Sequence, residues 1–115
     1  MKPYKRYCKT LQLKNDPELI AEYCRLHSSG VTWPEISEGM KAVGILDMEI
    51  YLLGTTLFMI MDTEPDFDHD IAMKKLGSLP RQAEWEATVS KFQRASADAS
   101  AEEKWRLMER IYKME

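Results

Sequence analysis

Residues 45–63 read ILDMEIYLLGTTLFMIMDT, two runs rich in β-branched, aromatic and long apolar side chains on either side of Gly54-Thr55. Two such runs divided by a two-residue turn with glycine predict a β-hairpin. In the first run Leu46, Met48, Ile50 and Leu52 alternate with Asp47, Glu49 and Tyr51. A strand with that alternation has one apolar face and one polar face. The hairpin therefore needs something apolar to lie against, and the flanking segments must supply it.

Upstream, residues 4–13 (YKRYCKTLQL) alternate loosely, with Tyr7, Leu11 and Leu13 on one side, as a first strand does. Asn15, Asp16 and Pro17 supply a helix start. From Asp16 to about His27, Leu19, Ile20, Tyr23, Cys24 and His27 fall at helical spacing, and Ser28-Ser29-Gly30 stops the run. Pro34 opens a second helix along the stripe Ile36, Met40 and Val43, which Gly44 ends. Downstream of Pro65, DFDHDIAMKKL begins with acids and continues with apolar spacing. PRQAEWEATVSKFQRA then carries Trp85, Val89 and Phe92 at helical intervals, so this stretch reads as a helix broken near residues 77–80. SADASAEE is polar, Ser100 with Glu103 resembles a capping box, and WRLMERIYKM alternates as a closing strand after a helical turn.

The order strand, helix pair, strand, strand, helix, strand is an α+β pattern, the ferredoxin-like βαββαβ arrangement of an antiparallel sheet with helices on one face. The other face is left bare. A bare apolar sheet face either binds something or pairs with a second copy of itself.

A chain of 115 residues with 44% hydrophobic content matches one domain, 1–115, around one core. The charge of −3 and pI near 5.5, with Lys and Arg scattered among acids, give no footprint for nucleic acid. No apolar run is long enough for a bilayer, and MKPYKRYCKT lacks the core of a signal peptide, so a cytoplasmic protein without a membrane partner is expected. Cys8 and Cys24 lie in different elements without metal-ligand spacing and read as buried free thiols.

Three constellations bear on chemistry. Tyr23 and His27 stand four apart, on one helix face, where a phenol and an imidazole either exchange protons or fill a core. Trp33 follows shortly after; an aromatic ring beside polar groups suits a sugar, whose ring presents C–H faces as well as hydroxyls. The stretch EPDFDHD (64–70) invites a metal reading, but no glycine turns it and no Glu stands at the twelfth position. Its acids read as helix-starting charges and His69 as a surface residue. Asp47 and Glu49 share a strand face and are either hydroxyl ligands or solvated charges. Serine nucleophile motifs, phosphate-binding glycine loops and CxxC pairs are missing, so an enzyme here works by proton transfer, with neither metal nor other cofactor.

EYCRLH (22–27), WPEI (33–36), AVGI (42–45), IYLL (50–53) and LFMIMDT (57–63), in that order and spacing, resemble the L-rhamnose mutarotase family, and the resemblance returns in MERIYKM (108–114). It implies a homodimeric α/β barrel that interconverts the α and β anomers of a 6-deoxy hexose. By the same resemblance His27 is the acid/base, Tyr23 its partner at the anomeric centre, and Trp33 a residue near the pocket. Trp85 corresponds to the second of two adjacent family tryptophans. Asp47, Glu49, Trp33 and Trp85 make up the expected sugar-binding set. The chain departs from the pattern at Glu84, which stands where the first tryptophan would be. It departs again at Asp47, where the family often has Asn, and at Met48 and Glu49, which replace a Tyr and a small residue. These departures leave L-fucose open beside L-rhamnose. A dimeric sugar-binding or sensing module without chemistry is the reading from another class, and a heme-handling dimer of this fold is a third. Met48, Met59 and Met61, however, sit in strand runs where they read as packing.

Overall fold

The computed structural model describes residues 3–94 and 101–114. Its elements run β1 (Lys5–Gln12), α1 (Pro17–Leu26), α2 (Pro34–Ala42), β2 (Ile45–Leu53), β3 (Thr56–Thr63), α3 (His69–Gly77), α4 (Gln82–Ser90), α5 (Ala101–Lys104) and β4 (Arg106–Leu107). The strands form one antiparallel sheet in the order β2-β3-β1-β4, the ferredoxin-like arrangement. The local signals act as their chemistry requires. Gly54 takes a positive φ of 62° in the hairpin turn, and Gly44, at φ 100°, ends α2. Asp16 caps α1 by accepting from the Glu18 and Leu19 amides. Asp68 caps α3 by accepting from Ile71 N–H at 3.2 Å, which gives the acids of residues 64–70 a helix-starting role. Of the capping box expected at Ser100 and Glu103, Ser100 lies outside the described residues.

The core lies between the helices and one face of the sheet. Lys9 and Leu11 from β1, Leu57, Met59, Met61 and Thr63 from β3, and Ile45 from β2 are buried there, against Tyr23, Ile36, Leu76, Trp85, Val89 and Phe92. Arg6, Cys8 and Thr10 pair across the ladder with Asp62, Ile60 and Phe58 and form the opposite face together with Asp47, Glu49 and Tyr51. Among the described residues no helix is long and apolar enough to cross a membrane.

Three expectations are corrected. Between Ile45 and Asp47 the β2 strand slips its register against β3, so Leu46 is the extra residue of a bulge and is 48% exposed, off the apolar face to which simple alternation assigned it. The closing strand is two residues long. After Met108 N–H bonds Cys8 C=O at 2.8 Å the described ladder ends, and Ile111, Tyr112 and Met114 stand exposed. The cysteines are free, but Cys24 is exposed and Cys8 half-buried: Cys24 follows Tyr23 and, about 100° further round α1, faces solvent.

Candidate active site

Tyr23 and His27 occupy the last turn of α1 and its C-cap. At that end the backbone N–H of His27 bonds Cys24 C=O (3.2 Å), one residue short of the α-helical pattern. The Tyr23 carbonyl therefore accepts from the imidazole instead, with Nδ1 at 2.8 Å. The Nδ1–H that this bond requires leaves Nε2 with its lone pair free. The two rings lie 4.3 Å apart between centroids, and Trp85 meets the imidazole edge-on at 5.5 Å.

Burial pulls the His27 pKa below its ordinary value of 6.5, against the opposing pull of the Tyr23 carbonyl and the charge of Glu86, so the imidazole is neutral near pH 7. Burial pushes the Tyr23 phenol up to about 12; the hydrogen bond from Gln93 works against this and the Glu86 charge adds to it. The phenol therefore keeps its proton. Gln93 Nε2–H donates to Tyr23 Oη at 3.3 Å, which occupies an oxygen lone pair and leaves the phenolic proton for another acceptor. Backbone bonds of its neighbours fix Gln93 beside the end of β1, from Lys14 N–H to Phe92 C=O and from Arg94 N–H to Gln12 C=O, each 2.9 Å.

Both residues line a cavity of about 310 Å³ between the covered sheet face and the helices, at the small end of the range for small-molecule sites. Its polar lining includes Lys9, Tyr23, His27, Gln82, Glu86 and Gln93, with Thr32 and Ser37; much of the rest is apolar, including Met40, Met48, Ile50, Met59 and Met61. Trp85 also lines it.

The remaining sequence candidates divide. Trp33 packs on Trp85 with centroids 5.1 Å apart, and the Arg81 guanidinium lies over its ring at 4.0 Å, so it backs the cavity wall instead of lining it. Glu84 and Glu35 both accept from Arg81, which gives Glu84 a surface ion-pair role. Asp47 and Glu49 project from the opposite face of the sheet: Asp47 accepts from the Met48 amide and Glu49 from the Tyr51 hydroxyl. Strand alternation turns Met48 and Ile50 toward the cavity and these two carboxylates away from it. His69 is not a surface residue, since its side chain is 17% exposed and its ring lies 5.0 Å from that of Tyr7.

Sequence reasoning missed Lys9, Gln82, Glu86, Gln93 and Lys104. A signal existed for most of them. Lys9 alternates inward with Tyr7 and Leu11, and Gln82, Glu86 and Gln93 recur at the helical spacing of the buried Trp85 and Val89. Polar residues at core positions mark either an error of assignment or a built site.

Comparisons with known proteins place the chain in a family. The sequence profile of the L-rhamnose mutarotase family matches residues 6–114. An L-fucose mutarotase of Xanthomonas campestris pv. campestris is 36% identical over 107 residues, covering 93% of this chain and 86% of that protein. A UPF0734 protein of Dictyostelium discoideum is 38% identical over 116 residues, covering 97% and 91%. The crystal structure of an L-rhamnose mutarotase from Formosa agariphila superimposes with a TM-score of 0.72 at 17% identity, over 96% of this chain and 99% of that one, which shows a common fold. The chain belongs to the L-rhamnose mutarotase family and is a sugar mutarotase, an isomerase of carbohydrate anomers.

Proposed function

We propose that the chain exchanges the α and β anomers of a 6-deoxy hexose, L-rhamnose first and L-fucose as the alternative, with His27 and Tyr23 as the proton-exchanging pair. The observation that carries this reading is the juxtaposition, in one cavity, of a neutral imidazole with a free Nε2 and a phenol that keeps its proton. His27 Nε2 takes the O1 proton as the C1–O1 bond becomes a carbonyl, the C1–O5 bond breaks, and O5 takes the Tyr23 proton. The aldehyde then rotates about C1–C2. O5 attacks the other face of C1 and returns its proton to Tyr23, while His27 returns a proton to O1. Each group ends as it began, so the cycle consumes nothing.

The cavity supports the 6-deoxy preference because its methionine and isoleucine side can receive the C5 methyl but would leave a C6 hydroxyl unpartnered. Polarimetry or saturation-transfer NMR on freshly dissolved L-rhamnose and L-fucose, side by side, is expected to show strong acceleration of at least one. Equal and negligible acceleration of both would favour a binding module without chemistry.

The same reading includes a homodimer working in the cytoplasm, where its two free thiols stay reduced. Phe58, Ile60 and the 54%-exposed Tyr51 lie on the sheet face that the helices leave bare, and Phe58 shares a groove with the exposed Met108, Ile111 and Tyr112; a second copy would cover both. Sedimentation at micromolar concentration is expected to give twice the chain mass of 13.4 kDa. A stable monomer would count against the barrel dimer.

A further inference from the structure

The least explained feature of the cavity is its acidic corner. Glu86 is buried on α4 and lines the cavity with Tyr23 and His27. Its Oε1 accepts from Lys104 Nζ at 2.7 Å and its Oε2 from Gln82 Nε2 at 2.6 Å. Lys104, with no exposed side-chain surface, also donates to the Glu86 carbonyl (3.1 Å) and to Ser90 Oγ (3.2 Å), so its three N–H donors are all engaged and none is left for a ligand. A carboxylate, by contrast, offers about four acceptor positions. With one taken on each oxygen, Glu86 retains capacity on both. A second acceptor nearby, Gln93 Oε1, is buried without a hydrogen-bond partner. This side of the cavity thus offers acceptor positions that the described residues do not fill, and hydroxyls are the donors a sugar brings.

Building on the mutarotase reading, we propose that Glu86 binds a ring hydroxyl of the substrate other than O1, with Lys104 and Gln82 as the residues that aim its carboxylate. The sugar then lies with its hydroxyl edge toward α4 and its methyl toward the methionines. This sets the face on which O1 meets His27 and makes Glu86 a determinant of which sugar is accepted.

Equilibrium binding of L-rhamnose and L-fucose, by calorimetry, tests this with wild type and Glu86→Gln, together with analogues in which the C2, C3 or C4 hydroxyl is replaced by hydrogen. Loss of a charge-assisted hydrogen bond corresponds to about tenfold to a hundredfold in affinity. Wild type is expected to lose that much with one of the three analogues. Glu86→Gln should lose about tenfold or more with the complete sugar, yet show little further loss with that same analogue. A strictly structural carboxylate predicts otherwise: the melting temperature falls, the complete sugar binds folded Glu86→Gln within twofold of wild type, and every analogue keeps its penalty; that result overturns the proposal. Should Glu86→Gln fail to fold, Glu86→Asp, which keeps the charge and withdraws it by one methylene, carries the same comparison. Wild type that binds neither sugar overturns the mutarotase reading and this proposal together, whereas binding by wild type with an indifferent Glu86 variant overturns this proposal alone.

Discussion

Replacing His27 with Asn is expected to leave a folded protein whose anomer exchange is slower by about a hundredfold or more, the range that general acid/base groups contribute. The substitution is chosen for its hydrogen bonding. The Asn amide N–H can take over the role of Nδ1–H toward the Tyr23 carbonyl, so the end of α1 keeps its partner, but the side chain has no group that titrates near neutral pH. Binding should change much less than turnover, as expected for a group whose proton transfer is realised in the transition state. Tyr23→Phe keeps the ring and should also slow exchange, with the added cost of leaving Gln93 Nε2 without its acceptor.

The wild-type pH profile carries the same signature. Because burial holds the His27 pKa below 6.5, the base form persists through neutral pH and kcat/KM should fall on the acid side with a midpoint below that value. Stability shifts in the same direction. Below about pH 6.5 the unfolded chain binds a proton that the folded imidazole resists, so this contribution is present above the unfolded value and is lost as pH falls through the folded one. A folded His27→Asn protein with near wild-type exchange would remove the imidazole from the mechanism and move the search to Glu86.

Lys104→Met is expected to cost about 3–5 kcal/mol of stability, the penalty for breaking a buried ion pair from one side. Lys104 and Glu86 are both buried, and the substitution takes the cation away from the Glu86 carboxylate, which keeps the neutral Gln82 amide as a donor. The loss should be visible as a lower urea midpoint. The double variant Lys104→Met/Glu86→Leu should recover much of it, because two apolar side chains in place of the pair remove the stranded charge. A loss below about 1 kcal/mol for the single variant would mean that the pair behaves like a solvated surface bridge.

Much of the molecule is written in short-range chemistry, and that part is legible in the sequence. Gly54 sets the hairpin turn, Asp16 and Asp68 cap their helices, Gly44 ends α2, and the period of apolar residues separates strand from helix. Tyr23 and His27 belong to this part, because a spacing of four within one helix brings two side chains together whatever the helix packs against. The sequence by itself therefore determined the order of the elements and the meeting of Tyr23 with His27. The tertiary structure decided what surrounds that pair. The bulge at Leu46 and the pairing of β2 with β3 turn Met48 and Ile50 toward the cavity and Asp47 and Glu49 to the other face of the sheet. Packing of β1, α4 and α5 gathers Lys9, Glu86, Gln93 and Lys104 from distant parts of the chain. Periodicity reports which side of an element is apolar, but not which element will lie against it. A buried lysine and a buried glutamate read as surface charges until folding sets one against the other and the loss of water is offset by their mutual attraction.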